Sequence, residues 1–421
     1  MLKRITPTQV ELGMFIHSLE GSWLQHPFWR SSFLLEDHGH LADLRAARVD
    51  AVVIDTARGR DLAGPRAVDA APAMRAPVRP ASFPPRRAAP VPPPAPAGRL
   101  GPGQLRQREF GNAARVADRA GKLVSRAFYE ARLGRAIKAC QIEPVVDDIF
   151  SSIQHNPHAF NGLMRCRRDN TGLFQHALAV CGLMVTLARG LRFDAAGIRA
   201  AGMAGLLIDV GAALTQSDPD DCHANPSDPA VRDHPKLGYD FLCAGGAVPE
   251  EVAVAVFEHH EFCDGSGYPR GLAGQDISLL GRMVAICSTF DDLSNNTASR
   301  SGGGLGPGAA IEAMKASARR YDRPIFEAFC EVIGLYPIGT VLLLSSGRLA
   351  LVVDQPHGGR VMPRLRAFYS TASNQRLTAV DVELEGENAR DAIVGLADPS
   401  AYGLVDFARL RDQLFAGAHA K

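Results

Sequence analysis

The sequence predicts a mainly α protein: a helical bundle with a small α/β domain before it and a short β-containing appendage after it. Three observations predict this. From about residue 108 to 335, apolar residues recur at spacings of three and four, the period of an amphipathic helix. Residues 1–62 and the chain from Tyr336 onward instead carry short apolar, β-branched runs. Between the first two regions, residues 63–107 are rich in Pro, Ala and Arg. The expected organisation is therefore a small domain over 1–62, a linker over 63–107, a helical domain over 108–335 and a β-containing region over 336–421.

In the first domain "GMFIHSL" and "VDAVVIDT" read as strands, with "HLADLRAARV" a short helix between them. Trp23, Phe28, Trp29 and Phe33 fall close together and read as an aromatic core. Gly64 to Gln107 holds 12 of the 28 prolines and seven arginines against one acid, Asp69, so it cannot bury enough apolar surface to fold and reads as a disordered linker. Helices follow in "NAARVADRAGKLVSRAFYEARLGRAIKAC", "PVVDDIFSSIQH", "LFQHALAVCGLMVTLARGL", "FDAAGIRAAGMAGLLIDVGAAL", "PEEVAVAVFEHHEF" and "SLLGRMVAICSTFDDLS". "SRSGGGLGPG" breaks the pattern. "GTVLLLSSGRLALVVD" then reads as two strands around Ser-Gly.

A formal net charge of +1 over 421 residues gives no sign of general nucleic-acid affinity. The eight cysteines are scattered with no Cys-x-x-Cys pair, which argues against a zinc ribbon or a disulfide framework and fits a reducing cytoplasm. The N-terminus lacks the apolar core of a signal peptide, and no uninterrupted apolar run is long enough to predict a membrane span.

Chemistry concentrates in the helical region. Asp209 lies inside "AGLLIDVGAAL", where a carboxylate is costly unless paired or bound to a metal. His234 opens "HPKLG", His259 and His260 end another helix, and His176 sits mid-helix in "LFQHALAV". A lone helical histidine such as His176 is more often a core or surface residue than a ligand. Carried on separate helical segments, these histidines and Asp209 can converge in a bundle core, and their donors suit Fe, Mn, Zn or Ni. Glu258 and Glu261 flank the histidine pair and read as solvated, or as supports for the ligands. Asp264, Gly265 and Gly267 form a tight turn, and Tyr268-Pro269 an extended exit from it.

The stretch "HHEFCDGSGYPRGL", residues 259–272, closely resembles the signature of the HD-GYP family, and "HPKLG" and "YPIGTVLLLSSG" lie where that family has matching segments. Residues 1–62, through "ELGMFI", "SWLQHPF" and "VVIDT", resemble the small domain that often precedes it. The resemblance implies an all-helical HD domain, with two or three metal ions that activate water and hydrolyse cyclic di-GMP, assisted by a lysine. It implies that one ion is held by Asp209, His234, His259 and His260, with His176 a further candidate ligand. It makes Asp264, Gly265, Gly267, Tyr268 and Pro269 the substrate loop, and Arg300 a contact to nucleotide phosphate.

The sequence departs from the family where the second ion would bind. Ile208 stands in place of the doublet histidine, Ala212 in place of the lysine, Ser288 in place of a later aspartate and Thr297 in place of an arginine. Gly172, four residues before His176, cannot supply the glutamate some members use for a third ion. Isoleucine has no lone pair and serine is a poor divalent ligand. Loss of one ion removes several kcal/mol of transition-state stabilisation, of order 10³-fold in rate. The expectation is thus a degenerate member of the family with one ion or none and weak or no phosphodiesterase activity. It would bind cyclic di-GMP, a related nucleotide or a signalling partner such as a diguanylate cyclase. The alternative is an active phosphodiesterase with an altered metal site, in which His176 or Asp291 replaces a lost ligand.

Overall fold

The structure is a computed structural model that describes residues 2–6, 9–20, 33–35, 51–56, 58–60, 102–167, 172–215, 229–246, 248–295, 304–355, 362–385, 389–404 and 407–419. The chain divides into two compact units, Met1–Gly98 and Arg99–Lys421.

The first unit contains a four-stranded antiparallel sheet of β1 (Leu2–Ile5), β2 (Phe15–Glu20), β3 (Phe33–Leu34) and β4 (Ala51–Asp55), in the order β1-β4-β2-β3. Alternation along β4 sends Val52 and Ile54 into a core with Val10, Met14, Ile16 and Leu35, all fully buried. The two strands read from the sequence are β2 and β4. The helix expected between them, the residues Trp23, Phe28 and Trp29, and most of the proline-rich stretch lie outside the described residues.

The second unit opens with the long helix α1 (Pro102–Arg132), followed by α2 (Ala139–His155) and α3 (Ala159–Cys166). α1 begins inside the stretch expected to be linker: Pro102, with its φ already set for helix, starts it ahead of the apolar repeat. The central pair is α4 (Gly172–Gly190) and α5 (Ala195–Leu207), the latter capped by Asp194, which accepts a hydrogen bond from the Gly197 amide at 2.8 Å. Two segments, Gly172–Gly190 and Ala195–Leu214, are long and apolar enough to cross a membrane, but 78% and 83% of their most apolar windows are buried inside the protein, as expected of helices in a bundle core. Then come α6 (Val210–Leu214), α7 (Pro229–Arg232), α8 (His234–Gly245), α9 (Glu250–Glu258), α10 (Leu279–Asn295), α11 (Pro307–Ala316) and α12 (Arg323–Ile333).

After α12 the chain forms a five-stranded antiparallel sheet: β5 (Val341–Leu344), β6 (Arg348–Asp354), β7 (Arg364–Ser370), β8 (Gln375–Val382) and β9 (Ile393–Leu396), ordered β8-β7-β6-β5-β9. The Ser-Gly hairpin read from the sequence joins β5 to β6. A final helix, α13 (Phe407–His419), packs on this sheet through Leu414 and Ala418, while its Phe415 meets Phe110 of α1 edge-on with ring centroids 5.5 Å apart.

His419 ties α13 to the rest of the unit. Its Nε2–H donates to the Val353 carbonyl at 3.0 Å, and its ring stacks on Phe110 of α1 with centroids 3.7 Å apart. Burial lowers its pKa from 6.5 to about 4, and the nearby Arg364 and Arg106 add to the shift. The fold thus favours the neutral ring. Between the two pKa values the unfolded chain binds the proton and the folded chain does not. The stabilisation is complete above pH 6.5 and is lost as pH falls toward about 4. Unfolding in urea at pH 7 and pH 4 is expected to show a pH-linked loss that a His419→Gln variant lacks, by about 3 kcal/mol.

Candidate metal centre

The helices deliver four donors to one buried place. Asp209 lies in the turn between α5 and α6 and is completely buried. His234 starts α8, and His259 and His260 follow the last residue of α9. The ligand nitrogens of His234, His259 and His260 all lie within 4.8 Å of one another. Asp209 Oδ1 is 3.4 Å from His234 Nε2 and 3.8 Å from His259 Nε2.

The ring orientations say what this place suits. His234 Nδ1–H donates to the Val231 carbonyl at 2.5 Å, and His259 Nδ1–H donates to the Val256 carbonyl at 2.6 Å. Each bond fixes the tautomer, so in the neutral rings both Nε2 atoms carry lone pairs. Those two Nε2 atoms face each other at 3.0 Å, with a carboxylate beside them. Lone pairs converging on one point suit a cation, and three imidazoles with one carboxylate fit a borderline divalent ion.

The other oxygen of Asp209 faces a different neighbourhood. Asp209 Oδ2 is 3.8 Å from His176 Nε2, while His176 Nδ1–H donates to Asp291 at 2.8 Å and its Nε2 lies 3.3 Å from Ser288 Oγ. Asp292 is 3.7 Å from the same Nδ1. Burial alone would lower the His176 pKa, but Asp292, the hydrogen bond His176 donates to Asp291, and Asp209 raise it overall. His176 is therefore placed beside Asp209 but apart from the three-histidine cluster. Ile208, Ala212 and Ser288 are all buried. Thr297 and Arg300 lie outside the described residues, so the expected phosphate contact at Arg300 has no structural account here.

The loop after the histidines is lashed back across them. Glu258 and Glu261 are buried, at 3% and 0% exposure, which corrects the reading of them as solvated. Glu261 accepts hydrogen bonds from the Arg270 amide at 2.6 Å and the Leu272 amide at 2.9 Å. Glu258 accepts from the Ser278 amide at 2.8 Å and from the Arg270 guanidinium. Tyr268 donates its amide to the His260 carbonyl at 3.0 Å and stacks its ring on the His260 imidazole, centroids 4.5 Å apart. Asp264 sits exposed at the loop tip, accepting from the Ser266 amide and hydroxyl; these bonds hold its carboxyl below the usual range. Gly265 takes φ +76°, where a side chain would be strained. Pro269 is exposed.

Sequence reasoning did not foresee Arg232. Its guanidinium carbon lies 4.8 Å from the Tyr268 ring centroid, on a ring that also stacks on His260. The available signal was its place two residues before His234, in "VRDHPKLG".

Comparison with known proteins agrees with this architecture. Residues 2–142 match a family described as a domain of unknown function, DUF3391, and residues 154–325 match the HD domain family. A cyclic di-GMP phosphodiesterase of Pseudomonas aeruginosa is 35% identical over 427 aligned residues, covering 99% of this chain and 96% of that protein. A cyclic di-GMP phosphodiesterase response regulator of Xanthomonas campestris is 42% identical over 64 residues, 15% of this chain and 17% of that one. Among solved structures, an HDG"Y"P protein from Bdellovibrio bacteriovorus matches with a TM-score of 0.45 and 14% identity, over 79% of this chain and 99% of that one. With identity sustained along nearly the whole length of a relative, and with the HHEFCDGSGYPRGL loop closing over clustered histidines, the chain belongs to the HD-GYP family.

Proposed function

We propose that this protein acts in cyclic di-GMP signalling in the cytoplasm as a degenerate HD-GYP protein. In this reading it binds the nucleotide, or a partner such as a diguanylate cyclase, as a regulatory module with weak or no phosphodiesterase activity. The observation that carries the reading is the contrast between the two sides of Asp209. On one side stand three histidines with converging ring nitrogens. On the other stand His176 and buried Ser288, where the family resemblance implies an aspartate at 288, and the buried Ile208 and Ala212 occupy places where it implies a histidine and a lysine. An ion held by Asp209, His234, His259 and His260 would supply Lewis-acid polarisation of a phosphoryl oxygen. This chain's own residues contribute the rest. The Val231 and Val256 carbonyls orient the imidazoles, and Glu258 and Glu261 fix the loop against them.

A second reading, an active phosphodiesterase with an altered site, draws on His176, whose Nε2 lies 3.8 Å from Asp209 Oδ2. Metal analysis alongside a cyclic di-GMP turnover assay separates the two. The proposal expects about one Fe, Mn, Zn or Ni ion per chain, none in a His259→Ala, His260→Ala variant, and turnover of order 10³-fold below that of a paired-ion relative. Two ions per chain with turnover equal to such a relative's would overturn it.

A further inference from the structure

Arg232 is brought beside the candidate metal centre by its place just before the helix that supplies His234. It ends α7, two residues before His234, and its side chain is exposed. Its guanidinium lies over Tyr268, and Tyr268 stacks on His260. The His260 ring is in turn 4.1 Å from that of His259 and 5.1 Å from that of His234, centroid to centroid. A continuous chain of ring contacts, stacked at Tyr268–His260 and tilted or edge-on beyond it, thus runs from a surface cation to the three-histidine cluster.

The charges around these rings give Arg232 a purpose. The deep side of the centre is acidic, with Asp209, Asp291 and Asp292 around His176. Buried Arg165 faces Asp291 there, but no described lysine joins it, because Ala212 fills the place of the family's lysine. Other cations near the loop are engaged elsewhere. Arg270 pairs with Glu258, Arg282 pairs with Asp322 at 2.5 Å, Lys236 pairs with Asp240 at 2.6 Å, and Arg320, over Phe262 at 3.6 Å, has its Nε buried. Among the described residues, Arg232 is the exposed cation that reaches Tyr268. A guanidinium held over an aromatic ring at the surface keeps N–H groups available, and their fork matches two oxygens of a phosphodiester.

We propose that Arg232 is a nucleotide-phosphate contact, binding a phosphodiester of a cyclic dinucleotide seated over the GYP loop. It would supply the positive charge that position 212 lacks. This rests on the cyclic di-GMP reading above and names a residue that would recognise the ligand. The guanidinium contributes both charge and planar geometry, so lysine replaces it only in part.

The test is calorimetric binding of cyclic di-GMP to the full-length protein, to Arg232→Ala and to Arg232→Lys, with metal content measured on each. Arg232→Ala is expected to weaken binding between about tenfold and a hundredfold, the effect of losing a charged hydrogen-bonding partner. Arg232→Lys should fall between, and metal content should match the parent in all three. Unchanged affinity in Arg232→Ala overturns the inference and leaves the cyclic di-GMP reading standing. A matching loss of metal also overturns it, since the arginine would then act on the cluster and not on the nucleotide. If the parent protein binds no cyclic di-GMP, the inference and the reading beneath it fall together.

Discussion

Introducing Ile208→His and Ser288→Asp together is expected to add a second ion per chain and raise cyclic di-GMP hydrolysis by about 10³-fold. Each substitution places a donor where the resemblance implies one, and position 288 lies beside His176, on the side of Asp209 away from the three histidines. Ser288 Oγ already lies 3.3 Å from His176 Nε2, and that nitrogen is 3.8 Å from Asp209 Oδ2, so a carboxylate at 288 joins an existing polar group. Ile208 is fully buried, and a histidine there costs folding energy unless an ion satisfies it. The double variant should therefore be less stable without metal and regain stability on metal addition. Each single variant should gain far less activity, because the second ion needs both donors. Metal content and turnover of the three variants decide the matter. Two ions bound with no rise in turnover would move the defect to Ala212 or to the nucleotide contacts.

A second large effect is expected at Gly211, where α6 crosses the start of α8. A Cβ built there would lie 1.9 Å from the His234 carbonyl oxygen and 2.6 Å from the Gly238 amide nitrogen. Both obstacles are backbone, so no side-chain rotation relieves the clash and the two helices must part. Gly211→Ala is expected to destabilise the second unit by about 3–5 kcal/mol, seen as an earlier unfolding midpoint in denaturant. It should also displace His234 and lower metal content. Gly111→Ala is the matched control, because a Cβ there meets nothing within 4 Å on an exposed face of α1. That change should be neutral or slightly stabilising, since alanine is the better helix former. An equal response from the two variants would show that the α6–α8 crossing is not tight.

Much of this was legible in the sequence, for reasons that differ by residue. The three- and four-residue apolar spacing marked the helices, because most of them bury one face in a shared core. Asp209 was conspicuous as a carboxylate in an apolar segment. Glu258 and Glu261 stayed open between solvated and supporting roles, because helical spacing does not show a loop folding back onto its own origin; their burial excludes the first. Their partners, at 270, 272 and 278, are distant turns of the same excursion. The surroundings of His176 depend on Ser288 and Asp291, more than 100 residues away, where no local pattern reaches. In the C-terminal region only the first hairpin was read. β8 is exposed along most of its length and so lacks the alternation that marks a half-buried strand.

The two buried glutamates bear on what this sequence signature can be taken to mean. His259 and His260 lie between Glu258 and Glu261, and those carboxylates hold the chain from Arg270 to Ser278 in place. Ile208 and Ser288 are buried in the same unit, and neither takes part in that hold. Altering either glutamate would leave backbone amides stranded and the loop adrift. The loop is thus kept as architecture by residues that need not touch a metal or a substrate, so its presence in a sequence reports how the chain closes on itself before it reports turnover.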